Sequence, residues 1–264
     1  MEVIAGNPED QTCDEFPTAE SYLDHYYSTL DGPPEEQGVN FFLFEHLHRI
    51  FHQEGLSGER LIDVGTGPCI YSFVSACTKF KEIVASDYAA DNREALKRWI
   101  DNEPGCFDWR PVIKHVCELE GHGDVEEREK RIRATIKDVL YCDVHQPNPI
   151  APKVLEPFDC LVTCFCLEAT CKRQDDWIQG LRNMATLLRD GGTLVQVAIP
   201  LKFYTVDGKR FEGFSADEQF LKSALLEAGF TDLDCHFRKR SVQAGKDTDY
   251  EFTVVIKATK KATA

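Results

Sequence analysis

Leu61-Ile-Asp-Val-Gly-Thr-Gly-Pro-Cys-Ile-Tyr71 carries an apolar strand straight into a glycine turn and the start of a helix. Gly65 and Gly67 lack a Cβ, so the backbone turns sharply and a ligand can approach it closely. The helix that follows offers unpaired amides at its N-terminus. Ile83-Val84-Ala85-Ser86-Asp87 reads as the next strand, and Asp87 at its end is placed to accept both hydroxyls of a ribose. Two strand ends therefore point to one pocket, and its ligand is nucleotide-like.

The same stretch narrows the ligand. A dinucleotide fingerprint wants a third glycine three residues after the second, where this chain has Ile70, and Pro68 follows Gly67 directly. An NAD-dependent oxidoreductase is disfavoured on that ground. Asp63, two residues before the first glycine, repels a pyrophosphate but suits the sulfonium and ammonium end of S-adenosyl-L-methionine. A lone Gly-x-Gly is often only a tight turn; the combination of Asp63, Gly65, Gly67 and Asp87 is what favours a cofactor site.

At 264 residues the chain is long enough for one large α/β domain, and no Pro/Gly/Ser-rich linker divides it. The reading is a disordered segment over residues 1–16 and a single domain over 17–264 with an N-terminal helical cap. The net charge of −15 is spread without a basic stripe, so nucleic acid is not an expected partner. No apolar run is long enough for a bilayer, and the first residues lack a signal-peptide pattern, so the expected location is cytoplasmic, with no membrane partner. A monomer is the expected state. Eleven cysteines is a high count, but many sit in apolar company, as in Phe158-Asp-Cys-Leu-Val-Thr-Cys-Phe-Cys166, and read as buried thiols. Cys164 and Cys166 would share one strand face without paired Cys-x-x-Cys knuckles, and no metal is expected.

Periodicity supplies the architecture. Tyr22 to Tyr27 predicts a short helix, and Phe41, Phe44, Leu47, Ile50 and Phe51 space a second one over Val39 to Phe51. Thr78 to Asp87 is a strand and Asn92 to Ile100 a helix. Asp108-Trp-Arg-Pro111 reads as a turn before the apolar pair Val112-Ile113. Asp124 to Leu140 reads as one solvated amphipathic helix, with a short strand ending at Asp143-Val144. Asp143 either meets an adenine edge or caps a loop. Phe158 to Phe165 is a strand, Trp177 to Leu188 a helix, and Thr193 to Ile199 a strand after Gly191-Gly192. Asp207-Gly208 centres a hairpin over Lys202 to Phe214. Asp217 caps a helix that Gly229 ends, and two strands near Asp232 to Arg238 and Tyr250 to Ala258 close the sheet. The pattern is Rossmann-like α/β, a mostly parallel seven-stranded sheet with an antiparallel C-terminal strand and an added hairpin.

Leu-Ile-Asp-Val-Gly-Thr-Gly-Pro (61–68), Phe-Asp-Trp-Arg-Pro-Val (107–112) and Phe-Cys-Leu-Glu-Ala (165–169) occur together, with Asp87 to Asn92 and Cys-Asp-Val at 142–144. On these the chain resembles the nicotinamide, phenylethanolamine and indolethylamine N-methyltransferase family from Tyr22 to Lys257. The resemblance implies a class I S-adenosylmethionine-dependent methyltransferase with Tyr22, Tyr27, Asp63, Gly65, Thr66, Gly67, Tyr71, Asp87, Asn92, Asp143, Val144 and Cys164 around the cofactor. A tyrosine face attracts a sulfonium and its hydroxyl binds a carboxylate.

The resemblance also implies a substrate site of Tyr22, Phe165, Glu168, Ala198, Lys202 and Asp247. Glu168 matches a glutamate near the substrate nitrogen in the amine-methylating branches, and the nicotinamide branch has aspartate there. The nicotinamide branch carries a further aspartate at the Ala198 position, and the phenylethanolamine branch a second glutamate near Lys202. The indolethylamine branch lacks an acid at Ala198, so a small arylalkylamine fits best. Nicotinamide, a pyridine, is the alternative acceptor, and a non-catalytic S-adenosylmethionine-binding protein the further one.

Overall fold

Leu61 and Ile62 are fully buried on opposite faces of one strand, which fixes helices on both sides of it. The computed structural model describes residues 16–121, 123–241 and 247–262. Its strands are β1 (Gly58–Val64), β2 (Phe80–Asp87), β3 (Ile136–Tyr141), β4 (Phe158–Cys164), β5 (Leu188–Ala198), β6 (Phe203–Val206), β7 (Lys209–Glu212), β8 (Phe230–Lys239) and β9 (Phe252–Lys260). Seven of them form one sheet in the order β3-β2-β1-β4-β5-β9-β8, and β6-β7 is a separate hairpin. Strands β1 to β5 pair in parallel, whereas β9 runs against both β5 and β8. Chain order reverses beside β1, between β2 and β4, so the carboxyl ends of these strands open a crevice.

Helices α1 (Ala19–Tyr27), α2 (Val39–His48), α3 (Phe73–Ala76), α4 (Ala90–Ile100), α5 (Arg110–Leu119) and α6 (Val125–Thr135) cover one face. There Leu61, Ile83, Cys160 and Val162 meet Leu43, Phe44, Phe73, Leu96, Ile113 and Ile132. Helices α7 (Leu167–Thr170), α8 (Gln174–Ala185) and α9 (Glu218–Glu227) cover the other, where Ile62, Leu161 and Leu194 meet Trp177, Leu181 and Leu225. Side chains at i and i+1 thus feed separate cores, as a period of two requires.

Helix starts follow their caps. Thr18 Oγ1 accepts the Ser21 amide at 3.2 Å, Asp124 the Glu127 amide at 2.9 Å and Asp217 the Phe220 amide at 2.7 Å. Helix α1 is pinned over the crevice because Asp91, in the first turn of α4, accepts the Ala19 amide at 2.6 Å.

Several expectations need correction. Residues 110–113 are not a turn and an apolar pair but the start of α5, whose buried Val112, Ile113, Val116 and Cys117 form one helical stripe. Pro111 is tolerated because a first-turn amide has no helical acceptor to lose. The helix expected to reach Leu140 stops at Thr135, and Ile136, Val139 and Leu140 belong to β3. Short apolar spacing there fits either element, and pairing with β2 decides it. The helix after the glycine loop is only the single turn α3. Cys166 is off the strand that carries Cys164, because Phe165 between them has φ of +56° and turns the chain. The expected disordered stretch lies outside the described residues up to 15. Phe16 is described and borders the cavity discussed below. Among the described residues no helix is long and apolar enough to cross a membrane.

Candidate active site

A cavity of about 290 Å³ lies at the carboxyl ends of β1, β2 and β4, under α1 and the start of α2. Its floor is the glycine loop. Gly65 and Gly67 have φ of +73° and +63°, the left-handed region that glycine enters freely. A Cβ on Gly65 would sit 2.4 Å from Cys166 Sγ, so no side chain fits there. The Gly65 and Thr66 amides donate to the Ser86 carbonyl at 2.9 and 3.0 Å, which staples the loop to β2.

Asp87 closes the loop from the side. One carboxylate oxygen accepts the Gly67 amide at 2.7 Å; the other accepts the Ala89 amide at 2.9 Å and Asn92 Nδ2 at 3.0 Å. A carboxylate has about four acceptor positions, so the oxygen facing Gly67 keeps capacity for a hydroxyl. Tyr27 and Tyr71 pack with their rings tilted by 30° at 5.4 Å between centroids, and Trp109 backs Tyr27 at 5.2 Å. Burial pushes both phenols well above their usual range, so they remain neutral donors with electron-rich faces. Asp143 does not cap idly. Its carboxylate accepts the His145 amide at 2.9 Å and Gln146 Nε2 at 3.1 Å, which shapes the turn, and the residue also lines the cavity.

These residues fit S-adenosylmethionine. The cradle at Gly65 admits a close backbone approach, and Asp87 with Asn92 offers hydroxyl partners at a strand end. Beneath the loop, Asp63 accepts Ser72 Oγ at 2.5 Å through Oδ2, while Oδ1 is buried with no partner among the described residues. Burial raises its carboxyl to about 7, and a cation above the loop would favour the ionised form.

The opposite half of the cavity is built around Glu168, in the first turn of α7. It is 3 % exposed. Its Oε1 accepts the Ile199 amide at 2.6 Å, and Oε2 is buried without a partner among the described residues. Burial outweighs that hydrogen bond and pushes the carboxyl up to about 7. Phe165, Ile199, Leu201, Val39 and Tyr204 give this half an apolar wall. Tyr22 and Tyr26, 4.9 Å apart on α1, lie across it.

Of the residues expected around the cofactor, Tyr22, Tyr27, Gly65, Thr66, Gly67, Tyr71, Asp87, Asn92, Asp143, Val144 and Cys164 all line this cavity. Asp63 does not; it supports the loop from below. Among the expected substrate residues, Tyr22, Phe165 and Glu168 line it, and three do not. Ala198 is fully buried in the core on the far face of the sheet. Lys202 is exposed, and its bonds run through the backbone, the amide donating to Asp249 at 2.8 Å and the carbonyl accepting the Gly213 amide at 2.9 Å. Its neighbour Leu201 faces the cavity instead, so the charge expected there is an apolar contact. Asp247 sits on the last loop, away from the lining. Tyr26, Glu36, Val39, Ile199, Leu201 and Tyr204 are among the lining residues that sequence reading passed over. The hairpin containing Tyr204 and the aromatic face of α1 were legible, but nothing in them showed that they met. Among the described residues no group of three or more His, Cys, Asp or Glu is placed to hold a metal, and the described cysteines are free thiols.

The chain is similar to known proteins in sequence and in fold. The indolethylamine N-methyltransferase of Oryctolagus cuniculus is 43 % identical over 211 residues, which covers 79 % of this chain and 80 % of that enzyme. The nicotinamide N-methyltransferase of Sus scrofa is 39 % identical over 214 residues, 80 % of this chain and 81 % of that enzyme. The solved structure of the N-methyltransferase NodS from Bradyrhizobium japonicum, in complex with S-adenosyl-L-homocysteine, shares the fold at a TM-score of 0.51 and 14 % identity, covering 92 % of this chain and 99 % of that one. The NNMT/PNMT/TEMT family model matches residues 7–261, and with a Gly65–Asp87 cofactor cradle facing a buried Glu168, this chain belongs to that family of S-adenosylmethionine-dependent N-methyltransferases.

Proposed function

We propose that this N-methyltransferase transfers a methyl group to the nitrogen of a small arylalkylamine. The carrying observation is Glu168, whose Oε2 is buried and unengaged among the described residues in the same cavity as the cofactor loop. When bound between Gly65, Asp87, Asn92 and the tyrosines, S-adenosylmethionine supplies an electrophilic methyl group on a sulfonium.

The chain's own task is to present an amine with its lone pair free. An alkylammonium entering this apolar space loses hydration, which lowers its pKa, while the same burial raises that of Glu168. The two values converge, so a proton passes from the ammonium to Glu168 Oε2, directly or through one water, at modest cost. The Ile199 amide fixes the carboxyl by holding Oε1, and Oε2 is left to act. Phe165, Ile199, Leu201 and Tyr204 hold the carbon skeleton and exclude water, so alignment of nitrogen with methyl carbon supplies most of the acceleration. No covalent enzyme intermediate is needed.

The acceptor is tested by methyl transfer from labelled S-adenosylmethionine to tryptamine, phenylethanolamine, simple alkylamines, nicotinamide and quinoline in parallel. Turnover of the arylalkylamines with inert pyridines supports the reading. Preferential methylation of nicotinamide or quinoline sinks it.

A further inference from the structure

The cavity holds a second buried carboxyl that the methyl-transfer chemistry does not use. Glu36 ends a 3₁₀ turn, Pro34–Glu36, between α1 and α2; it is 7 % exposed and lines the cavity. Among the described residues no hydrogen bond or ion pair engages its side chain. The turn is held from outside, since the Arg240 guanidinium donates to the Glu35 carbonyl at 3.1 Å and Arg238 to the Gln37 carbonyl at 2.6 Å. Asn40 Nδ2 donates to the Tyr26 carbonyl at 2.8 Å and closes the other side. A carboxyl that lines the cavity on an anchored turn, with no hydrogen-bond partner among the described residues, can take a donor from a ligand.

Its place relative to Glu168 follows from the residues between them. The Tyr204 phenol feels Glu168, the Tyr26 phenol feels both Tyr204 and Glu36, and neither carboxyl acts on the other among the influences that shift them. Glu36 and Glu168 line one cavity together with Tyr26 and Tyr204. The apolar contact of Val39 with Ile199, Leu201 and Tyr250 fills the middle. Burial and the adjacent Glu35 outweigh Arg240 and raise the Glu36 carboxyl to about 8, so it enters this space neutral and can both donate and accept.

We propose that Glu36 is a specificity-determining residue that selects acceptors bearing a hydrogen-bond donor, such as a phenol hydroxyl, at the end of the apolar body remote from the methylated nitrogen. This rests on the amine reading of the cavity given above. An acceptor with its nitrogen at Glu168 and its ring against Val39, Ile199 and Leu201 brings a remote donor to Glu36. One without it leaves the Glu36 carboxyl in the cavity with no partner from the acceptor.

The test is calorimetric binding of phenylethylamine and 4-hydroxyphenylethylamine to the full chain loaded with S-adenosylhomocysteine, for wild type, Glu36→Leu and Glu36→Gln, with methyl transfer to both amines measured alongside. Wild type is expected to bind the hydroxylated amine about tenfold more tightly. Glu36→Leu should bring that ratio to about one, and the near-isosteric Glu36→Gln should keep part of it, which separates recognition from misfolding. Equal affinity of wild type for both amines, or an undiminished ratio in Glu36→Leu, overturns the proposal. Methyl transfer to both with equal affinity removes Glu36 while sparing the amine reading. A Glu36-dependent binding ratio without methyl transfer does the reverse.

Discussion

The two halves of the cavity are built in different ways. The cofactor half comes from consecutive strand ends, β1 with its loop and β2 with Asp87, whose side chains and amides bond to one another over a short length of chain. The acceptor half is gathered from α1, the Pro34–Glu36 turn, α7, the end of β5 and the β6-β7 hairpin. A half assembled from neighbouring segments is rigid and internally hydrogen-bonded. A half assembled from distant ones leaves two carboxyls, Glu168 and Glu36, with unspent bonding capacity, and there substrate choice is made.

The sharpest break of this contrast is Asp87→Ala. It removes a hydroxyl partner and frees the Gly67 and Ala89 amides and Asn92 together, three bonds of 3.0 Å or shorter. At roughly 1.5–3 kcal/mol per hydrogen bond to a charged group, cofactor affinity should fall by about 100-fold or more, read by titration calorimetry with S-adenosylhomocysteine. A loss under about threefold would mean that the loop holds its shape and its ligand without this residue.

Glu168→Gln should strike the other half alone. Turnover should drop roughly 10- to 100-fold, while cofactor affinity stays within about twofold. Proton acceptance needs the carboxylate, so wild-type kcat/KM should rise with pH through about 7, where Glu168 loses its proton, and the variant should lack that inflection. The same profile in both proteins would leave Glu168 only a positioning part.

This division explains what the sequence made legible. Leu61 to Tyr71 and Ile83 to Asp87 are contiguous patterns whose chemistry is local, and almost every cofactor residue read from them, or from the family resemblance, lines the cavity. Asp63 was one step too deep, because strand alternation and Ser72 hold it under the loop. In the acceptor half the deciding facts are tertiary. Pro-Pro-Glu-Glu at 33–36 has the composition of a solvated turn, yet Arg238 near the end of β8 and Arg240 just past it hold the turn on either side of a buried Glu36. Ala198 and Lys202 were placed by position along the chain, and a shift of one residue past a strand end reverses the side that faces the site. Helix α5 was missed and the start of β3 misplaced for the same kind of reason, since short apolar runs do not declare their period.

Stability gives a smaller test of the acceptor half. Glu168 has its folded value raised to about 7 from an ordinary 4.5, so the folded state holds a proton that the unfolded state releases. The unfavourable contribution is absent below about pH 4.5, grows as pH rises to about 7, and is constant above. Glu168→Gln should remove it, so the variant should gain about 3 kcal/mol over wild type at pH 8 and almost nothing at pH 4.5. Denaturant unfolding of the cofactor-free proteins at the two pH values measures the difference. A gain independent of pH would trace the effect to packing, not to the carboxyl.

The smallest expected effect separates neighbours one residue apart. Lys202 is exposed and bonds through its backbone, whereas Leu201 is 4 % exposed and faces the cavity. Lys202→Ala should therefore change kcat/KM for an arylalkylamine by less than about twofold, because a solvent-screened charge reaches the site weakly. Leu201→Ala, by removing apolar wall, should raise KM several-fold at an ordinary cost of about 2 kcal/mol or more for a buried leucine. Steady-state kinetics of the pair decides between the two side chains. An effect at Lys202 larger than at Leu201 would mean that the β5–β6 connection turns its charge inward when the acceptor binds, and that the acceptor half is remade on binding while the cofactor half is preformed.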